Sequence, residues 1–389
     1  MLKQLLNLPK TVWLLGLVSL FNDSASELLY PLVPLYLSAV LMAGPKALGI
    51  IEGVAEATSS VLKLFSGVLI DKTRSAKPWV VGGYTLAALS RPLMSLASSW
   101  PIVFVLRFSD RVGKGIRSSP RDALLAKATP ADQRGLAFGV HRSMDNAGAV
   151  IGPLLAAWLL ASHVPLKEIF MWAAIPGALT VLLALSIKEP PVEVEHKKPF
   201  SWTMQGFPPI YKRYLLIMAL FTLGNSSNMF LLLRAKDMGL PTAMVPVLWA
   251  LTSASAMLLS TPLSSLSDRV GRIRLIIIGW AIYGLFYLLL GLNGHHLWLL
   301  WPLFAFYGIF MAATEGAEKA LVADMAPKEM LGTAYGWFNL ITGIMLLPAS
   351  MIFGWLWQTI SPEVAFGFSA SCAIFAAILL KTWVVQKQE

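Results

Sequence analysis

The sequence is poor in charge. Of its 389 residues only 13% are Asp, Glu, Lys or Arg, against roughly 25% in a soluble domain. It holds one cysteine, Cys372. An internal disulfide is therefore excluded, and in its apolar run the thiol reads as a packing residue. No phosphate-cradling glycine loop, zinc-ligand spacing or nucleophile triad occurs. Nucleotide-driven work and hydrolysis thus have no residues to carry them, and no enzyme activity is expected. His295 and His296 form a lone pair in a short connection and read as solvated loop. No cleavable signal peptide is expected either, since the first apolar run lacks a small-residue cleavage site and carries Asn22, Asp23 and Glu27 in its middle. Segments of about ten residues with alternating polarity, the mark of a membrane β-barrel, are missing.

Apolar length is what the chain has in abundance. Hydrophobic residues make up 56% of it and mean hydropathy is +0.66. Runs of about twenty apolar residues recur, the length that crosses ~30 Å of hydrocarbon as an α-helix. Twelve spans are expected, near 11–40, 47–71, 78–98, 101–124, 134–162, 166–187, 213–235, 242–267, 273–293, 297–324, 332–356 and 363–385. The one long connection, rich in Pro, Lys and Glu, lies at the centre of the chain. This predicts an all-α polytopic membrane protein with a six-helix half over 1–187, a linker over 188–212 and a second half over 213–389.

The net charge of +10 is distributed in a way that argues against nucleic acid. Lys and Arg gather in alternate connections: Lys72, Arg74 and Lys77; Arg121, Lys127 and Arg134; Lys188, Lys197, Lys198, Lys212 and Arg213; Arg269, Arg272 and Arg274. Arg234 and Lys236 are exceptions. The asymmetry follows the positive-inside rule, so both termini and the linker are expected in the cytoplasm; the inner membrane is the expected location.

The two halves repeat each other. ALLAKATPADQRGLAFG at 123–139 and ALVADMAPKEMLGTAYG at 320–336 lie 197 residues apart and agree at seven of seventeen positions, where composition alone gives roughly one or two. The same offset lays LIDK at 69–72 on LSDR at 266–269, and so Asp71 on Asp268.

SSLSDRVGRIR at 264–274 resembles the cytoplasmic loop signature of the major facilitator superfamily, G-x-x-x-D-R-x-G-R-x-R, with Ser264 in place of the opening glycine. GVLIDKTRSAK at 67–77 is the first-half copy, with Arg74 where glycine is usual. GAVIGP at 148–153 is similar to the fifth-helix element of drug–proton antiporters, although Ala156 and Ala157 replace its following glycine pair. The resemblance covers the whole chain. It implies two six-helix halves that rock about a midplane site, with the loop residues Gly67, Asp71, Asp268, Arg269, Gly271 and Arg272 latching the cytoplasmic side. Gly148 and Gly152 predict close helix packing, and Pro153 a bend.

One stretch departs from the apolar pattern. On a helix, Arg107, Asp110, Lys114, Arg117 and Arg121 fall within an arc of roughly 80°. A charge near mid-membrane is costly unless it meets water or a partner. Arg107, Asp110, Arg111 and Lys114 are therefore expected along a water-filled cavity, and Arg117, Arg121 and Asp122 at the solvated helix end. Asn22, Asp23 and Glu27 in helix one, and His141, Arg142 and Asp145 in helix five, stand at similar depth; the resemblance implies that these helices adjoin. A buried carboxylate that gains and loses an arginine neighbour can carry a proton in step with a conformational change, which makes Asp23, Glu27 and Asp145 the candidates for proton coupling. The second half offers a hydrogen-bonding and aromatic wall instead: Asn225 and Asn228, Glu315, Trp337 and Asn339.

The expectation is a proton-coupled secondary transporter without cofactor, monomeric, acting on a small organic solute. The cations favour an anionic or zwitterionic one, and the fifth-helix element favours export. Proton-symport uptake of such a solute and multidrug efflux of lipophilic compounds are the alternatives.

Overall fold

In the computed structural model residues 8–73, 75–129, 134–189, 204–294, 296–327 and 331–384 are described. They form twelve helices in chain order and no strand: α1 Lys10–Ala39, α2 Pro45–Thr73, α3 Lys77–Leu93, α4 Trp100–Ala128, α5 Arg134–Ala161, α6 Leu166–Leu185, α7 Pro209–Asp237, α8 Met244–Val270, α9 Arg272–Leu292, α10 Leu300–Met325, α11 Leu331–Thr359 and α12 Pro362–Trp383. The protein is an all-α polytopic membrane protein. Eight of the described helices are long and apolar enough to cross a bilayer on length and composition alone. The other four include α3, at 17 residues, and α4, with its row of charges.

Local chemistry sets the helix ends. Proline stands in the first turn of α3, α4, α7 and α12, where its missing N–H costs nothing. Ser361 caps α12 by accepting from the backbone N–H of Val364. Gly271, at φ +97°, turns the chain into α9, a conformation that a Cβ disfavours. Three helices are interrupted. α1 breaks at Tyr30–Pro31, α6 at Ala173 and α7 between Gly224 and Met229. The sequence NSSN at 225–228 supplies poor helix formers whose side chains compete for backbone hydrogen bonds.

The repeat is visible in the helix ends. Thr73 and Val270, Ala128 and Met325, and Arg134 and Leu331 are each separated by the same 197 positions. The chain divides into two compact units: Met1–Leu41 with Thr58–Pro199, and Met42–Ala57 with Phe200–Glu389. Helix α2 thus contributes its first turns to the second unit and the rest to the first. In the first unit α1 packs on α5 and α6, and α3 on α4 and α6; in the second, α8 packs on α10, and α9 on α10 and α12.

Inside the second unit, residues 42–57 lie tightly against α11. A Cβ on Gly53 would lie 2.9 Å from the Leu347 carbonyl, and one on Gly354 2.5 Å from that of Pro45. Small residues let backbones approach in lipid, where no hydrophobic force drives helices together. Large apolar side chains on the outer faces, such as Leu182 at 61%, Leu216 at 65% and Leu258 at 69% exposure, form the surface that a bilayer covers.

Candidate functional site

Charge is concentrated inside the first unit. Asp110 of α4 is fully buried, and three buried guanidiniums surround it. Arg91 Nε of α3 lies 2.9 Å from one carboxylate oxygen, Arg107 Nη1 3.5 Å and Arg111 Nη1 3.3 Å from the other. Arg91 Nη1 also donates to the backbone carbonyl of Asn22 at 2.9 Å and to its side-chain oxygen at 3.1 Å. Arg107 further lies 5.7 Å from the ring centroid of Tyr30. The network joins α1, α3 and α4. Such a buried arrangement is tolerated only because each ion meets opposite charge and fixed dipoles.

This placement departs from the expectation that Arg107, Asp110 and Arg111 line water. They are 2%, 0% and 4% exposed. The physical reason is Arg91, which the sequence did not flag. It stands in an apolar run beside Pro92 and looks like a helix-end charge, yet it is the cation nearest Asp110. Arg117 is likewise buried, at 4%, where solvent was expected.

A second polar chain runs one turn along. Ser19 Oγ donates to Asp145, Arg121 Nη1 donates to Ser19 Oγ at 3.5 Å, and Arg121 pairs with Asp122 at 2.9 Å. His141 Nδ1 stands 3.6 Å from the other Asp145 oxygen. Asn22 donates from its amide to Asp23 at 2.7 Å. Asn22, Asp23 and Asp145 therefore sit together on the α1–α5 face, with Glu27 one turn on and half-buried. Gly148 and Gly152 create that face. A Cβ on Gly148 would lie 2.6 Å from the Leu20 carbonyl, and one on Gly152 2.6 Å from that of Ser24. Pro153 is buried within α5, which continues through it. Lys114 is half-buried and Arg142 exposed.

The second unit is built differently. Asn225 and Asn228 flank the break in α7, whose loosened backbone is tied off. Tyr283 donates to the Gly224 carbonyl at 2.8 Å, Tyr307 to Asn228 Oδ1 at 2.6 Å, and the Ser227 N–H to Ser350 Oγ at 3.2 Å. Ser227 Oγ donates to buried Glu52 at 3.3 Å. Phe221 stacks on Trp280 with centroids 4.4 Å apart, and Tyr283, Phe286, Tyr287, Tyr307 and Phe310 continue the cluster. Glu318 accepts from Trp280 Nε1 at 3.0 Å. Glu315 is exposed and pairs with Lys319 at 3.6 Å. Asn339 is exposed and Trp337 half-buried, both on α11.

Of the loop residues, Arg272 binds Asp324 at 2.8 Å and the Ala320 carbonyl, and so ties the start of α9 to the end of α10. Gly67, Asp71, Asp268 and Arg269 lie on α2 and α8, but their side chains are outside the described residues.

Twelve helices among the described residues, eight of them long and apolar enough to cross a bilayer, in a repeated arrangement with charged side chains held inside, define a polytopic membrane protein of the transporter kind. The chain matches the family model of the Major Facilitator Superfamily over residues 12–264 and 214–389. It belongs to that superfamily and is a secondary transporter, not an enzyme. It is 35% identical over 382 residues to the MFS-type transporter MJ1317 of Methanocaldococcus jannaschii, covering 96% of this chain and 94% of that one. It is 27% identical over 302 residues to the multidrug resistance protein MdtH of Salmonella newport, covering 75% and 73%. The fold resembles the nucleoside transporter NupG (D323A mutant), with a TM-score of 0.81, 13% identity and coverage of 95% and 98%. It also resembles a POT family transporter in complex with 5-aminolevulinic acid, with a TM-score of 0.81, 14% identity and coverage of 98% and 97%.

Proposed function

We propose that the protein is a proton-coupled exporter of a small anionic or zwitterionic organic solute, working by alternating access in the inner membrane as a monomer. The observation that carries this reading is the cation-rich interior of the first unit, where Arg91, Arg107 and Arg111 share Asp110 beside a face bearing Asp23, Glu27 and Asp145. Buried cations at membrane depth favour an anionic group on the cargo. The carboxylates exchange protons as their arginine neighbours shift. The Lys and Arg bias of alternate connections supports cytoplasmic termini. No cofactor takes part; the proton gradient supplies the energy.

A second reading, efflux of lipophilic compounds, draws on the likeness to a protein named for multidrug resistance. Thermal stability of the purified protein against carboxylates, zwitterions and lipophilic cations at about pH 6 and pH 8 separates the two. Selective stabilisation by anions is the expected result. Stabilisation by lipophilic cations alone assigns the arginines to internal pairing and puts multidrug efflux first.

A further inference from the structure

Arg117 is a buried cation within electrostatic reach of Asp110 and Asp23, but it forms none of the close ion pairs described above. It lies on α4, 4% exposed. Its guanidinium carbon stands 4.5 Å from the ring centroid of Tyr84 on α3. Nη1 has no hydrogen-bond partner among the described residues, and neither has the fully buried Tyr84 hydroxyl. A buried guanidinium normally spends its five donors on acceptors, because an unmade bond to a charged group is expensive. Here two neighbouring donors are left over, and the backbone holds them in place. A Cβ on Gly83 would lie 2.5 Å from the Gly113 carbonyl and 2.7 Å from Arg117 Cβ. Only glycine lets α3 press against α4 closely enough to stack the guanidinium on the residue next to Gly83. On one side Tyr84 belongs to the buried apolar cluster of Leu15, Val80, Leu124 and Leu125; on the other, Arg91, Asp110 and Asp23 lie within electrostatic reach of Arg117.

We infer that Arg117 and Tyr84 form a subsite for the carboxylate of an organic anion with an apolar body. The planar guanidinium matches a carboxylate bidentately, the phenol adds a third donor, and the aliphatic wall takes the body of the solute while disfavouring strongly hydrated inorganic ions. The site is closed in this structure, so loading it requires α3 and α4 to open towards a solute. The inference therefore deepens the anionic-cargo reading above and rests on it in that respect.

The test is equilibrium binding to the full-length protein in detergent, with no gradient and at constant ionic strength, with benzoate as probe and acetate and sulfate for comparison. Benzoate is expected to raise the unfolding temperature saturably, and more than acetate or sulfate. Arg117→Met should weaken benzoate roughly 10- to 100-fold and Tyr84→Phe less than about tenfold. Lys212→Met, a surface charge removal, should leave binding unchanged. Arg117→Lys keeps the charge but not the fork, and should fall between wild type and Arg117→Met; it serves as the decisive variant where Arg117→Met does not purify as a monodisperse species. Full benzoate affinity in Arg117→Met or Arg117→Lys would overturn the proposal, as would no saturable effect in wild type or a sulfate effect equal to that of benzoate. Absence of proton-driven transport alongside Arg117-dependent benzoate binding would sink proton coupling and leave the subsite standing.

Discussion

Helices α4 and α10 occupy the same place in the two sequence repeats and are chemically opposite. Shifted by 197 positions, Arg107, Asp110, Arg111 and Arg117 fall on Phe304, Tyr307, Gly308 and Thr314. Where α4 buries one carboxylate among three guanidiniums, α10 places Tyr307 among Phe286, Tyr283 and Phe310. Arg91, the partner on α3, becomes Leu288. The helix ends kept their register while the interior exchanged ion pairs for aromatic rings. Backbone architecture in a membrane needs only satisfied peptide groups and apolar length, so either interior fills the same frame. What differs is what each can do: rings hold shape, whereas ions respond to protons and charged solutes.

The largest effect is expected from Asp110→Asn, which strips three buried guanidiniums of their carboxylate. Stability should fall by about 3–5 kcal/mol, read as loss of folded protein or a lowered unfolding temperature in detergent. Adding Arg91→Met to that variant should recover part of the loss, since the pair costs less to remove together than singly. Next comes Phe221→Ala in the second unit. It opens a cavity beside Trp280 and should cost about 3 kcal/mol in the same assay, with anion-induced stabilisation intact. A loss of anion binding there would erase the proposed division between the units. Gly148→Val is expected to cost about 1–3 kcal/mol by forcing α5 off α1. The matching residue in α11 is already Met345, so changing Met345 to Val should be nearly silent. Smallest is Ser227→Ala, which leaves Glu52 without one donor and should cost no more than about 1 kcal/mol.

Much of the frame was legible in the sequence because its signal is one-dimensional. Long apolar runs give helices, and a constant offset reveals the repeat. The charged stripe was legible too, since five residues on one arc leave little choice. What the sequence did not show was which way the stripe points. That depended on Arg91, a lone arginine in an apolar run, and on Gly83 and Gly113, whose close approach brings Tyr84 onto Arg117. Such contacts are properties of a helix pair, with no periodicity to betray them. The break in α7 lay between the two kinds of signal. NSSN stood out as polar, but the groups that tie off its ends, Tyr283 on the Gly224 carbonyl and Tyr307 on the Asn228 side chain, come from α9 and α10.

Whether proton handling belongs to the charged first unit and not to the aromatic second is tested most directly by pH-gradient-driven solute movement in proteoliposomes. Wild type is compared with the double variant Asp23→Asn, Glu27→Gln and with Glu318→Gln. The double variant should lose gradient-driven transport while Glu318→Gln retains it. Gradient-driven transport that survives in the double variant and disappears in Glu318→Gln would contradict first-unit proton handling.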